Sequence, residues 1–215
     1  MLKLIYLAKR NPSFAPDDFT RRWRMHGALG MSTSLWRHAV GYVQAEPIRP
    51  TPIRGASDAY DAIACFMLKD DAFTSQFLPE DVTAAQALAK DELETFSAPI
   101  PTTSLWVREE RLRAGELGGQ TAYLFFADLA RARDAAELYR QDSRFDRATL
   151  NTRSDDPNSG PMKSTLPYEA VLELSASSIS RLVGALQAGA APFRSADVAV
   201  IAREAVFWDR VPPID

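Results

Sequence analysis

Short apolar runs of strand length alternate along the chain with amphipathic stretches of helical period. In the first half, four such runs predict strands at residues 2–8, 38–45, 60–68 and 103–111. Pro16 and the acidic pair after it predict the start of a helix that runs to about Gly30. Residues 71–78 and 80–96 predict further helix, with Pro79 as the break. The order β-α-β-β-α-β is that of the ferredoxin-like unit.

The same order of elements returns after Gly115, Gly118 and Gly119, which are interpreted as a linker. The predicted strands are 121–127, 146–153, 167–174 and 197–205, and the predicted helices are 131–141 and 178–188. A polar loop at 154–161 takes the place of the proline-rich loop of the first half. The pattern therefore predicts two tandem ferredoxin-like domains, residues 1–114 and a divergent copy at 115–215.

Several of the predicted strands are apolar on both faces. Residues 60–68 and 122–127 show this most clearly, whereas a four-stranded antiparallel sheet with helices on one face needs only one apolar face. Each buried apolar side chain contributes roughly 1.5–3 kcal/mol. We therefore expect an α+β fold in which the two sheets pack into an α+β barrel inside one chain. Separate domains, or a second subunit that covers the sheets, are the alternative.

Charge and composition narrow the class of protein. Net charge is −3, and neither half carries the basic field that binding to nucleic acid or an anionic membrane needs. The lone cysteine, Cys65, cannot form an internal disulfide, and no apolar stretch reaches the ~20 residues of a membrane span. These features predict a soluble cytoplasmic protein whose partners are neither nucleic acid nor membrane.

One face of the first predicted helix carries the best candidate for a catalytic residue. Phe19, Trp23, His26 and Gly30 follow at i, i+4, i+7 and i+11, so they share one side of the first helix. The imidazole of His26 titrates near neutral pH and is the expected acid/base group. The alternative for His26 is a helix-end side chain bonded to a carbonyl or a carboxylate.

Asp61 opens a strand of apolar residues, where an unpaired carboxylate is costly to bury. It is predicted either to act with His26 as a catalytic group or to bind loop amides or an arginine.

The aromatic residues predicted to wall a substrate pocket, with core packing as the alternative, are Trp23, Tyr42, Tyr6 and Phe66. His38 is expected at the surface. No metal-ligand spacing and no nucleotide-binding loop occurs, so neither a metal nor an organic cofactor is expected.

Taken together, motifs across nearly all of the first 110 residues resemble the EthD family, a branch of the dimeric α+β barrel proteins. The motifs are residues 2–10, Pro16-Asp17-Asp18-Phe19, Arg22-Trp23-Arg24-Met25-His26, Gly41-Tyr42-Val43-Gln44, Tyr60-Asp61-Ala62-Ile63-Ala64 and Asp91-Glu92 followed by Phe96. The family often has a second histidine where this chain has Gly27, which places any role of that second imidazole in doubt.

The resemblance implies a protein that acts on a small aromatic or lactone-like compound in a catabolic or secondary-metabolic pathway. Cofactor-free lyase, isomerase or monooxygenase chemistry is the first hypothesis, since related barrels perform such reactions. A non-catalytic protein that binds a hydrophobic intermediate beside an oxidative enzyme is the second. Fold alone does not choose between them. Pairing of outer strand edges is the hypothesis for a homodimer.

Overall fold

The computed structural model describes residues 1–69, 78–154 and 163–209. The first half comprises β1 (Leu2–Ala8), α1 (Pro16–Met31), β2 (Ala39–Pro47), β3 (Ala62–Leu68), α2 (Pro79–Thr95) and β4 (Ser104–Arg113). The second half comprises β5 (Gln120–Phe126), α3 (Leu129–Arg140), β6 (Arg147–Arg153), β7 (Ala170–Ala176), α4 (Ile179–Ala188), α5 (Ala190–Ser195) and β8 (Val198–Asp209). The predicted helix at 71–78 and the predicted loop at 154–161 lie almost wholly outside the described residues.

The eight strands form one closed antiparallel barrel in the order β1-β3-β2-β8-β5-β7-β6-β4. Each half contributes four neighbouring strands, and two seams join the halves. Val43 of β2 lies opposite Val206 of β8 at one seam, and Glu109 of β4 lies opposite Asn151 of β6 at the other. The predicted α+β barrel within one chain is thus confirmed. Because every described strand has two neighbours, the barrel has no open edge for the predicted pairing of strand edges.

The barrel encloses an apolar core drawn from both halves, including Ile5, Ile63 and Cys65 of the first half and Phe125 and Val200 of the second. This explains why the predicted strands are apolar on both faces: one face lines the barrel and the other lies under helices. Burial raises the pKa of the Cys65 thiol well above its usual value, with nearby Glu173 adding to the effect. The thiol is therefore protonated and packs as a small apolar group.

A buried ionic network crosses the barrel interior. The Lys3 ammonium lies 2.6 Å from Glu109 and 2.9 Å from Glu173, so it links two strands of the first half to one of the second. Arg147 lies 3.3 Å from Glu173 and 2.5 Å from Glu204. The side chains of Lys3, Glu173 and Glu204 are at most 1% exposed. Lys3 and Arg147 therefore balance the charges of these buried glutamates in place of water.

Several element boundaries differ from the prediction. Pro79 occupies the first turn of α2 instead of breaking a helix, as its missing N–H and fixed φ permit. A short 3₁₀ helix, Ser34–His38, precedes β2, and α5 is an additional helix of six residues. None of the described helices combines the length and apolar character needed to cross a bilayer.

Candidate functional site

A cavity of about 450 Å³ lies between the first-half helices and the outer face of the sheet. Helix α1, the 3₁₀ helix Ser34–His38 and helix α2 form its roof, and strands β1 to β4 form its floor. Its lining is mainly apolar and comprises Leu4, Tyr6, His26, Gly27, Gly30, Thr33, Leu35, Trp36, His38, Ala39, Tyr42, Phe66, Leu68, Ala85, Leu88, Ala89, Glu92, Ile100, Pro101 and Trp106. A cavity of this size and character suits a small organic molecule.

Small residues keep the cavity open. Gly27 and Gly30 of α1 and Ala85 and Ala89 of α2 line it, so both helices present little side-chain volume on this side. Gly27 also lies very close to the sheet, because a Cβ at this position would lie 2.7 Å from Nε2 of Gln44. Helix α1 therefore sits directly on β2 at the point where the cavity begins.

Aromatic rings form one wall of the cavity. Tyr42 and Phe66 stack with centroids 4.2 Å apart, and Trp36 packs edge-on against Tyr42 at 5.5 Å and against Phe66 at 6.2 Å. The indole N–H of Trp36 is buried and has no hydrogen-bond partner among the described residues. An oxygen atom of a ligand would satisfy such a donor.

The predicted pocket residue Trp23 does not line the cavity. It is fully buried, and its Nε1–H donates to the hydroxyl of Tyr6 at 2.8 Å. The hydroxyl of Tyr42 accepts a hydrogen bond from Nε2 of Gln44 at 2.7 Å. Burial raises the pKa of both tyrosines well above the usual range, so both remain neutral phenols. Trp23 thus positions Tyr6, while Tyr6, Tyr42 and Phe66 line the cavity.

His26 is 8% exposed and lines the cavity from α1. Its Nδ1 lies 2.7 Å from Oδ2 of Asp91 on α2, and Arg22 binds the same carboxylate at 2.6 Å and 3.2 Å. Burial would raise the pKa of Asp91, but hydrogen bonds from Arg22 and His26 outweigh that effect and lower it. The ionised carboxylate only accepts, so Nδ1 of His26 carries the hydrogen and Nε2 holds the lone pair.

Burial also lowers the pKa of His26, and the positive charge of Arg22 adds to this effect. The hydrogen bond and the negative charge of Asp91 raise the pKa again, but only in part. The imidazole is therefore neutral at neutral pH. A neutral imidazole with its Nδ1–H fixed by a carboxylate is the arrangement of a general base.

Asp61 does not accompany His26. Its carboxylate lies 2.5 Å from Arg10 and 3.0 Å from Arg49, and it also accepts the backbone N–H of Arg10 at 2.9 Å. It is absent from the cavity lining. The geometry therefore supports the alternative of an arginine-bound strand-end aspartate, and Asp91 takes the predicted place of Asp61 beside His26. His38, expected at the surface, is half-buried and lines the cavity.

Glu92 is the second site residue that sequence reasoning missed. It follows Asp91 on α2, lines the cavity, and accepts the backbone N–H of Ile100 through Oε2 at 3.1 Å. Burial raises its pKa, and the negative charge of Asp91 adds to this. The sequence did contain a signal, since Asp91-Glu92 belongs to the motifs that resemble EthD. Among residues 1–69, 78–154 and 163–209, no group of three His, Cys, Asp or Glu side chains is placed to hold a metal ion.

Solved structures share this architecture. The "Putative monooxygenase" from Fusobacterium nucleatum superposes with a TM-score of 0.57 at 8% sequence identity, covering 100% of this chain and 96% of that chain. The chain has the fold of the α+β barrels. The "Putative Chlorite dismutase" superposes with a TM-score of 0.56 at 9% identity, covering 95% of this chain and 94% of that chain. No family model and no curated protein matches the sequence. The similarity therefore establishes the fold, while the resemblance to EthD stays a prediction.

Proposed function

We propose that this chain is an EthD-like protein whose cavity binds a small aromatic or lactone-like compound and transforms it without a cofactor. The observation that carries the proposal is the Asp91–His26 pair, whose imidazole lines an otherwise apolar cavity walled by aromatic rings. Removal of a substrate proton is common to lyase, isomerase and cofactor-free monooxygenase chemistry, so His26 serves each of these reaction types.

The pair supplies both a base and a means to stabilise the conjugate acid. Nε2 of the neutral His26 accepts the substrate proton, and the imidazolium that forms lies 2.7 Å from the Asp91 carboxylate. Arg22 holds that carboxylate in place. Because the surroundings are largely apolar, the attraction between imidazolium and carboxylate is stronger than it would be in water.

Two features of the lining support an aromatic, oxygen-bearing substrate. The stacked Tyr42 and Phe66 offer flat ring surfaces, against which an aromatic compound packs with offset or edge-on geometry. The buried N–H of Trp36 lacks a partner among the described residues. A carbonyl or hydroxyl oxygen of the substrate would accept from it.

Replacement of His26 tests the proposal. Turnover of a panel of hydroxylated aromatic compounds, aryl ketones and lactones is measured by mass spectrometry with the wild-type protein and with His26→Gln. We expect the variant to lose at least about 100-fold in rate, as the loss of a general base does. Arg21→Gln, an exposed position on the same helix, is the matched control and should keep the wild-type rate. Equal rates for His26→Gln and the wild type would refute the role of His26.

The second candidate is a non-catalytic carrier of a hydrophobic intermediate. The feature that favours it is the neutral, hydrogen-bonded state of Tyr6 and Tyr42, which leaves most of the lining chemically inert. A compound that binds the purified protein and is recovered unchanged, together with unchanged binding in His26→Gln, would support the carrier. Conversion of any bound compound by the protein alone would exclude it.

A further inference from the structure

Two neighbouring carboxyl groups of α2 have different surroundings. Asp91 is bound by the cation Arg22 and hydrogen-bonded to His26. Glu92 lines the cavity and has no cationic partner among the described residues; its Oε2 accepts a hydrogen bond from the N–H of Ile100. The other carboxyl oxygen, Oε1, is therefore available to a ligand.

Burial and the negative charge of Asp91 disfavour the ionised form of Glu92, and the N–H of Ile100 offsets them only in part. Asp91 on the same helix is negative, the phenol of Tyr6 on β1 stays neutral, and His26 on α1 is neutral at neutral pH. His38, before β2, and Tyr42 on β2 are the other titratable groups of the lining. On α1, the guanidinium of Arg22 is bound by Asp91. These surroundings favour the protonated form of Glu92, and only a protonated carboxyl can donate a proton to a ligand.

We propose that Glu92 is a second catalytic residue of the cavity, which protonates the carbonyl oxygen of a bound ketone or lactone while His26 deprotonates the adjacent carbon. This inference rests on the proposed function of His26. In the step, the C–H bond breaks, its proton joins Nε2 of His26 and its electron pair forms the C=C bond. The carbonyl π pair takes the proton of Glu92, and an enol forms beside an imidazolium and a carboxylate. The reverse step returns the ketone, so no oxidant or co-reactant is consumed.

The experiment uses 2-tetralone, a bicyclic aryl ketone, as the probe in deuterated buffer. Deuterium incorporation next to the carbonyl is followed by mass spectrometry across pH, and binding is measured by calorimetry. We expect the wild-type protein to accelerate exchange with a bell-shaped profile, since His26 must be neutral and Glu92 protonated. Glu92→Gln should lose about 100-fold in exchange rate with unchanged affinity, and it should lose the alkaline limb of the profile. Glu92→Asp should retain that limb, because it keeps a carboxyl.

Glu80→Gln, at an exposed position in the first turn of α2, is the matched control and should exchange like the wild type. Loss of exchange in His26→Gln together with a wild-type rate and profile in Glu92→Gln would overturn the role of Glu92 and leave that of His26 intact. Exchange by the wild-type protein no faster than in buffer would overturn both. Urea unfolding curves of every variant show that a lost rate comes from a folded protein.

Discussion

At the scale of single residues, burial moves the pKa values of His26 and Glu92 toward each other. Burial disfavours a charged group, so it lowers the pKa of the imidazole and raises that of the carboxyl. Their ordinary values are 6.5 and 4.5, so the two shifts narrow the gap between the two pKa values. Burial therefore favours the uncharged form of both groups, the neutral imidazole and the protonated carboxyl, more than water does.

The role of Asp91 is tested by Asp91→Asn, which keeps the size of the side chain and removes its charge. Asp91 raises the pKa of His26 through a hydrogen bond and its charge. Without that charge the pKa of His26 falls further, so the acid limb of the exchange profile moves to lower pH. The rate on the plateau falls, because the imidazolium loses its stabilising partner. We expect this shift if Asp91 positions His26 and stabilises its charged form. An acid limb at the wild-type pH would contradict that role.

Residue spacing predicted part of this site. The i, i+4, i+7 pattern of Phe19, Trp23 and His26 correctly placed them on one buried face of α1. The same spacing carries no information about a partner 65 residues away on another helix, so Asp91 was missed. Asp61 was predicted instead because a carboxylate next to an apolar strand needs a partner. That partner is supplied by arginines outside the strand, which the local sequence does not reveal.

At the scale of elements, equivalent positions of α1 and α3 carry different side chains. His26 of α1 lines the cavity, whereas the equivalent residue of α3 packs within the second half. The fourth, eighth and eleventh residues of α1 are Phe19, Trp23 and His26. The same positions of α3 are two alanines and Tyr139, and all of these residues are buried. The hydroxyl of Tyr139 donates to the carbonyl of Gly189 at 2.7 Å, so this side chain serves the packing of the second half.

Because α1 lies very close to the sheet at Gly27, we expect Gly27→Ala to destabilise the fold. The new Cβ would lie 2.7 Å from Nε2 of Gln44 and 2.8 Å from the hydroxyl of Tyr42, and both atoms are held by a mutual hydrogen bond. We expect a loss of about 1–3 kcal/mol in the free energy of unfolding, measured with urea. Gly184→Ala on α4 is the control, since its Cβ meets nothing within 4 Å. That variant should gain up to about 1 kcal/mol.

Element boundaries were predictable where local signals were strong. The proline and acidic pair at the start of α1 fixed its first residue, and the apolar run fixed β1 to the residue. Helix α5 was not predicted because its six residues, Pro192 among them, are too few to show a repeat of 3.6 residues. Strand β8 continues to Asp209, beyond the predicted end at 205, because it pairs with β2 of the other half. Such tertiary pairing leaves no local trace.

At the scale of the whole molecule, the ionic network inside the barrel predicts sensitivity to acid. Burial would raise the pKa of Glu109, but the charge of Lys3 and a hydrogen bond from Arg111 lower it from 4.5 to about 2. A depressed folded-state pKa stabilises the fold above the unfolded value. That stabilisation, roughly 3 kcal/mol at most, is lost as the pH falls from 4.5 to about 2.

Glu109→Gln should therefore be less stable than the wild type at neutral pH and should lose part of the acid slope in urea midpoints measured between pH 5 and pH 2. The neighbouring Glu110→Gln is the control. Glu110 binds Arg140 outside the barrel and its side chain is 57% exposed, so its replacement should change little. An identical acid slope in wild type and Glu109→Gln would show that the network does not govern acid unfolding.

The two seams between β2 and β8 and between β4 and β6 have a consequence for how such a molecule changes over generations. In a ring built from two identical chains, every mutation is felt twice, once on each side. Here a mutation alters one side only. One helix layer can thus serve packing, as Tyr139 of α3 does, while the other keeps a histidine and a glutamate at the lining of one cavity.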